Sequence, residues 1–230
     1  MRVRVEVPAV SGNLGSGFDT TGMALALYSE AEADTDGSGV HLEGVGAHEL
    51  PRDERNLCVW SMRELARRVG RPLPPHGLTI HNRIPVGRGL ASSGAAVISG
   101  LLLANALLGE PCGQEEITEL GTEIEGHPDN VAAAMLGGVV VSAWDRERVR
   151  AVRLEPPPGL EEELVAVVWV PEAELETRRA RAVLPEVVPL RDAVYNLGRA
   201  ALFSAVIVAM LRCAGRSQSE ITCPANSGTL

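Results

Sequence analysis

Apolar residues recur at regular intervals along most of the first 154 residues, and the interval distinguishes strands from helices. Val3, Val5 and Val7 alternate with charged residues, which predicts a half-buried first strand. An apolar stretch at 23–27 fits either a strand or a helix. Alternation predicts further strands at 41–45, 77–84 and 139–143, and a helical repeat predicts helices at 56–69, 92–108, 114–125 and 129–136.

The pattern changes at a proline-rich, charged tract, EPPPGLEEE, at residues 155–163. Such a tract is typical of a linker, so we expect one domain over 1–154 and a second, partial domain over 155–211. Residues 212–230 show no periodicity and predict an atypical tail, either disordered or foreign to the fold.

The second domain shows three predicted segments. They are a strand at 164–170, an arginine-rich loop or helix at 172–183 and a helix at 190–211. The most apolar part of that last helix, 200–211, is only about a dozen residues long, which is too short to cross a bilayer. It is therefore predicted to be a buried helix of a protein with no membrane partner.

Composition narrows the class of protein. A chain of 230 residues that is 45% hydrophobic can build one large core or two smaller ones. The net charge of -9 leaves no broad basic surface, so nucleic acid is not an expected partner. The four cysteines show no CxxC spacing and the amino terminus lacks a signal-peptide core, which predicts reduced thiols and a cytoplasmic location.

The segment PVGRGLASSGAAVISGLLLAN, residues 85–105, joins a glycine- and serine-rich loop to an apolar helix. Gly87 and Gly89 allow a tight turn, and Ser92 and Ser93 fall where the free N–H groups of a new helix attract an anion. The loop is neither a Walker A nor a GxGxxG motif, and it predicts a third kind of phosphate loop. A glycine-rich turn of this kind can also be a plain connector.

Two further segments carry polar groups. PAVSGNLGSGFDTTG presents Asn13 and Asp19 on a glycine-supported turn, although both side chains could instead bond only their own backbone. EGHPDNVAAAMLGG concentrates polar residues at the entrance of an apolar helix, although Asp129 could simply cap it. The polar residues of this second segment are Glu125, His127, Asp129 and Asn130.

Together the three segments resemble the GHMP kinases, named for galactokinase, homoserine kinase, mevalonate kinase and phosphomevalonate kinase. EGHPDNV is most similar to the homoserine branch of that family. The resemblance implies a two-domain α+β fold, with an N-terminal domain like domain 2 of ribosomal protein S5 and a ferredoxin-like C-terminal domain, and an active site in the cleft between them. It also implies ATP-dependent phosphorylation of the homoserine side-chain hydroxyl, a step toward threonine.

The resemblance assigns roles residue by residue. Asn130 would orient the acceptor hydroxyl without a protein general base, because an amide cannot take a proton at neutral pH, and the pH–rate profile would be flat between about 6 and 9. In ETRRARAVLP, Thr177 would lie near the transferred phosphate and Arg181 would pair with the substrate carboxylate. The substrate-binding residues would be Asn13, Asp19, His127, Asp129, Asn130 and Arg181, and the ATP-binding residues Pro85, Val86, Gly87, Arg88, Gly89, Leu90, Ala91, Ser92, Ser93 and Gly94.

The same resemblance implies a magnesium site. Ser93 and Glu125 would supply one hydroxyl and one carboxylate, which suits Mg²⁺ held together with ATP phosphates. Glu119 and Glu123 are rival carboxylates, because family members space this glutamate differently.

The sequence also departs from the family pattern. Ala91 stands where the family usually has glycine, which would cost about 1 kcal/mol if the position needs a positive φ. The third motif, Ser-Gly-x-Gly-Pro, does not occur, so we expect weak activity or none from this chain alone. Another GHMP small-molecule kinase and a nucleotide-binding homologue without catalysis remain alternatives, and a homodimer is possible.

Overall fold

The computed structural model describes residues 1–156, 165–170 and 177–214, and the side chains of 177, 178 and 211–214 lie outside that description. Up to residue 154 the described chain forms six strands and four helices. The strands are β1 (Arg2–Ser11), β2 (Thr21–Asp34), β3 (Val40–Gly44), β4 (Gly77–Asn82), β5 (Val139–Trp144) and β6 (Val149–Leu154). The helices are α1 (Leu57–Val69), α2 (Ser92–Leu107), α3 (Gln114–Glu125) and α4 (Pro128–Leu136).

The long strand β2 organises the sheet. It pairs antiparallel with β1, from Arg2 opposite Asp34 to Ser11 opposite Met23, with a register shift after Pro8, which has no N–H to donate. Its other edge is shared, because 30–34 pair with β4 and 21–23 pair with β5. The strand order is β3-β4-β2-β5-β6, with β1 beside β2. The sheet therefore divides on one side of β2, between β4 and β5.

Helix α2 forms the centre of the core. It is apolar on all sides, as expected for an enclosed helix, and Val97, Ile98, Leu101 and Leu103 have no exposed surface. It contacts α1, α3, α4 and strand β1. This packing fixes the start of α2, and with it the predicted phosphate loop, relative to the start of α4.

Beyond residue 156 the described chain contains α5 (Thr177–Ala182) and α6 (Leu190–Ala214). Residues 165–170 have no regular structure, so the strand predicted at 164–170 is wrong over these residues, because no described strand pairs with them. The predicted tail at 212–230 lies outside the described residues after Ala214, where α6 ends.

Helix α6 also corrects the prediction of a short buried helix at 200–211. Its apolar part spans Leu190–Met210, 21 residues that are long enough to cross a bilayer by length and composition, and this stretch is not buried. The sequence interpretation counted only the most apolar dozen residues and placed them in a core, but described neighbours cover little of this helix. One such helix is weak evidence for a membrane, because apolar helices that pack on protein meet the same criteria.

Candidate active site

The loop at 85–91 turns through two glycines with left-handed backbone. Gly87 and Gly89 have φ values of 67° and 74°, in the left-handed region that favours glycine. The backbone N–H of Val10 donates to the carbonyl of Leu90 at 3.1 Å, which ties the loop to β1. The following helix, α2, has no side-chain cap at its amino end, so the N–H groups of its first turn remain available to an anion.

Ala91 has a positive φ, which is the condition under which an alanine at this position carries a cost. At φ 54° and ψ 40° it is left-handed and directly precedes Ser92, the first residue of α2. An alanine there costs about 1 kcal/mol relative to glycine. The loop keeps this shape because its neighbours on both sides are held by β1 and by α2.

Asp129 organises the entrance of α4. Its carboxylate is fully buried, and Oδ1 lies 2.7 Å from Nδ1 of His127. Oδ2 accepts the backbone N–H of Asn13 at 3.1 Å, and Asn13 Oδ1 in turn accepts the backbone N–H of Asp19 at 2.8 Å. Asp129 therefore links the β1–β2 turn to α4, and it does not act as a simple helix cap.

The contact with Asp129 also changes the pKa of His127. The Asp129 carboxylate raises the pKa of His127, and this effect outweighs the desolvation that would lower it. Both oxygens of Asp129 are already engaged within the protein. The predicted direct contact of Asp129 with substrate stays a prediction, and the geometry favours a supporting role in which Asp129 positions His127 and Asn13.

The starts of α2 and α4 meet. A Cβ built on Gly94 would lie 3.5 Å from Cβ of Asn130, so the predicted phosphate loop and the predicted acceptor residues occupy one side of the molecule. Oδ1 of Asn130 is buried and has no hydrogen-bond partner among the described residues. A buried amide oxygen without a partner is costly unless a ligand supplies a donor.

Two glycines that the sequence analysis did not single out make this approach possible. A Cβ on Gly12 would overlap side-chain oxygens of Asp129 and Asn130, and a Cβ on Gly22 would lie 2.5 Å from the Asp129 carbonyl oxygen. Gly12 has an ordinary φ, so its role depends on close approach, which local sequence does not reveal. Their place in a glycine-rich turn is the only signal that the sequence offers.

Ser93 and Glu125 lie together beside the loop. Ser93 Oγ donates to Oε2 of Glu125 at 3.2 Å, and burial raises the pKa of the Glu125 carboxyl. The rival Glu123 is exposed and forms an ion pair with Arg68. Glu119 has no described contact with the loop. Geometry therefore favours Glu125 as the carboxylate that accompanies Ser93.

A second group of possible cation ligands contains Asp19, His127 and Asp129, whose ligand atoms lie within 4.8 Å of one another. These atoms already bond within the protein. The carboxylate oxygens of Asp129 bond Asn13 and His127. Both carboxylate oxygens of Asp19 accept from the guanidinium of Arg181. The Ser93–Glu125 pair is therefore the better match for a divalent cation.

Arg181 reaches this group from α5. It lies over the ring of Phe18, with Cζ 5.4 Å from the ring centroid, and its ion pair with Asp19 raises its own pKa. Thr177 begins the same helix, and its side chain lies outside the described residues, so its predicted catalytic role stays a prediction.

A cavity of about 270 Å³ opens beside Ser92 and Ser93, and the sequence analysis missed it. Its wall is mostly apolar, and its polar and charged members include Glu43, Arg55, Asn56 and Asn82. Burial raises the pKa of the Cys58 thiol in this wall to about 12, so the thiol stays neutral. The apolar wall includes Leu42, Val45, Leu57, Cys58, Ile80 and Val86. A larger groove of about 440 Å³ between α1 and β3 lies away from these serines.

Comparison with known proteins agrees with this geometry. Residues 56–138 match the family model described as GHMP kinases N terminal domain. The chain is 47% identical over 204 residues to a homoserine kinase of Moorella thermoacetica, covering 88% of this chain and 68% of that protein. It is 43% identical over 199 residues to a homoserine kinase of Carboxydothermus hydrogenoformans, covering 86% and 64%.

A solved structure of a candidate homoserine kinase from Listeria monocytogenes superposes with a TM-score of 0.74 at 32% identity, covering 94% of this chain and 71% of that one. This match confirms the α+β GHMP kinase fold. The predicted domain boundaries at 154 and 211 stay predictions. The chain spans about two thirds of the length of its curated relatives, 68% and 64% for the two named. On the strength of these identities and coverages, the chain belongs to the homoserine kinase family of the GHMP kinases.

Proposed function

We propose that this chain binds ATP and transfers its terminal phosphoryl group to the side-chain hydroxyl of L-homoserine. The observation that carries the proposal is the meeting of two helix starts, with Gly94 of α2 against Asn130 of α4. Phosphoryl transfer requires mainly positioning and charge stabilisation, and a helix start without a side-chain cap beside the partnerless Oδ1 of Asn130 supports such a site.

Different parts of the site bind the base, the phosphates and the Mg²⁺ of MgATP. The apolar cavity beside Ser92 has the size and lining for a nucleotide base, and the loop at 85–91 with the start of α2 binds the phosphates. Ser93 and Glu125 offer adjacent oxygen atoms that fit Mg²⁺, which when bound neutralises phosphate charge. A cation there would also offset the desolvation that raises the pKa of Glu125.

The acceptor side uses Asn130 and Arg181. We assign to Asn130 the hydrogen bond that orients the acceptor hydroxyl for attack, and its buried Oδ1, which lacks a partner among the described residues, supports this role. Asp129 holds Nδ1 of His127 and raises the pKa of the ring, and we assign His127 a positioning role beside Asn130, whose amide cannot take a proton at neutral pH. The geometry supports a reaction in which the protein positions the hydroxyl without removing its proton.

A turnover assay on the 230-residue chain tests the proposal. We expect ADP release with L-homoserine and MgATP that is slow, because the third motif does not occur in this sequence, and ³¹P NMR should show one new phosphomonoester. Mevalonate and shikimate serve as acceptor controls for other GHMP kinases. ATP binding with no phosphorylated product from any of the three acceptors would instead support a non-catalytic nucleotide-binding protein. A cytoplasmic location and a homodimer stay predictions.

A further inference from the structure

Two charges that the resemblance assigns to substrate recognition lie against each other in this structure. Nη1 of Arg181 donates to Oδ2 of Asp19 at 2.9 Å, and Nη2 donates to Oδ1, so the pair is bidentate. The side chains are 35% and 28% exposed, so solvent screens the pair only in part. Each group therefore already holds a partner of the kind that an amino acid would offer it.

The pair lies between two parts of the chain that share few other described contacts. Asp19 belongs to the β1–β2 turn and Arg181 to α5. Helix α6 meets the same turn through Asn196, whose Nδ2 donates to the Ser16 carbonyl at 3.4 Å. A Cβ on Gly15 would also lie 3.3 Å from the Phe203 ring. The Asp19–Arg181 pair is thus a charged contact that joins this turn to the C-terminal helices.

We propose that the Asp19–Arg181 ion pair is a latch over the acceptor site, which a ligand opens only if it offers both an ammonium group and a carboxylate. This inference rests on the proposed function, because it concerns the same acceptor site. A zwitterion replaces both partners at once, since its ammonium pairs with Asp19 and its carboxylate with Arg181. A ligand with one charge leaves the other protein charge without a partner in a partly desolvated site.

Ligand binding to the whole chain provides the first test, by calorimetry in the presence of a non-hydrolysable ATP analogue and Mg²⁺. The probes are L-homoserine, 4-hydroxybutyrate, which lacks the ammonium group, and 3-aminopropan-1-ol, which lacks the carboxylate. The unmodified protein should bind homoserine and neither analogue well. Asp19→Asn frees Arg181, so it should bind 4-hydroxybutyrate about tenfold more tightly and homoserine about tenfold more weakly than the unmodified protein.

Asp36→Asn is the matched control, because Asp36 is an exposed carboxylate whose removal changes the net charge equally. It should leave all three affinities unchanged. An Asp19→Asn variant whose affinity for 4-hydroxybutyrate does not rise would overturn the latch while leaving the proposed function intact. Failure of the unmodified protein to bind homoserine would count against both proposals.

A second measurement separates a latch from simple repulsion between Asp19 and a ligand carboxylate. In ¹⁵N NMR of the ligand-free protein, a bidentate pair restricts rotation of the Arg181 guanidinium, whose signals are assigned by their loss in Arg181→Lys. We expect this restriction to be present without ligand, to be lost in Asp19→Asn, to persist with 4-hydroxybutyrate and to be altered by homoserine. A freely rotating guanidinium in the ligand-free protein would refute the latch, even if homoserine does not bind.

Discussion

Glu125 and His127 stand two residues apart, and their surroundings move both pKa values upward for different reasons. Burial disfavours the charged carboxylate of Glu125, whereas a carboxylate partner favours the charged ring of His127. The first shift means that ionisation of Glu125 costs the folded state stability. The second raises stability wherever the ring is protonated.

Replacing Glu125 by glutamine should stabilise the fold and impair the kinase. Because the folded pKa of Glu125 is raised, its ionisation costs stability as pH rises above the ordinary glutamate value, and an amide removes that cost. We expect a melting temperature about 2–4 °C higher at pH 8, equivalent to about 1 kcal/mol. The magnesium concentration for half-maximal rate should rise about tenfold or more. Glu123→Gln, at the exposed Arg68 pair, should change neither quantity in this way; equal effects of both substitutions would contradict the prediction.

His127→Gln tests whether the pKa of His127 is raised in the folded protein. The folded pKa of His127 is raised, so its contribution is complete below the unfolded value of about 6.5 and is lost as pH rises through the folded value. The melting temperature of the unmodified protein should therefore exceed that of His127→Gln most at pH 5.5, and the gap should narrow by pH 9. The exposed His41→Gln is the control. A gap that widens with pH would show that the Asp129 interaction does not favour the protonated ring.

At the scale of elements, the site depends on how closely backbones approach. Strand β2 lies against the first turn of α4 at Gly22. A Cβ added to Gly22 would have the backbone oxygen of Asp129 as its nearest neighbour. Backbone cannot move aside as a flexible side chain can, so glycine is required at this crossing. The same crossing holds the first turn of α4, with Asp129 and Asn130, against the start of α2.

Gly22→Ala should therefore destabilise the protein by about 1–3 kcal/mol and lower turnover, because it pushes α4 away from β2. Chemical denaturation measures the first effect and the kinase assay the second. Gly113→Ala is a suitable control, because Gly113 has a φ of -78° and its nearest neighbour is a side-chain oxygen at 3.8 Å. Equal stability of the two variants would mean that β2 and α4 are not tightly packed at this point.

At the scale of the whole molecule, the described chain has one continuous apolar core, and it lies among β1–β6 and α1–α4. Helix α6 lies outside that core, with apolar side chains such as Leu197 and Leu202 exposed at 70% and 58%. Hydrogen bonds from α5 and α6 reach Asp19 and Ser16 of the β1–β2 turn. Stability should therefore depend unequally on the two parts.

Leu101→Ala, in α2, should cost about 2–5 kcal/mol of unfolding free energy, because it leaves a cavity at a site with no exposed surface. Leu197→Ser in α6 should change the same quantity by less than about 0.5 kcal/mol. Urea denaturation followed by circular dichroism measures both. A large loss in Leu197→Ser would show that α6 is packed against protein in solution.

Local patterns predicted most elements before residue 154, because strand and helix periods are properties of neighbouring residues. Helix α1 shows the limit of local patterns. Leu57, Trp60 and Leu65 recur at a helical interval, yet Leu57 and Trp60 are about 40% exposed, whereas Cys58 and Met62 are buried. Strand β6 was missed, and β2 proved longer than its apolar stretch, because pairing with β5 and β1 defines them.

The sequence by itself determined the glycine-rich turn at 85–91, the start of α2 and the kinds of polar residue at the start of α4, since these depend on glycine, serine and proline at fixed local positions. Only the tertiary structure decided which of these polar residues contact one another. Glu125 bonds Ser93, and both oxygens of Asp129 form hydrogen bonds, to His127 and Asn13. Arg181 pairs with Asp19. These contacts join residues up to 162 positions apart, so the way the chain folds back on itself, rather than any local pattern, brings them together.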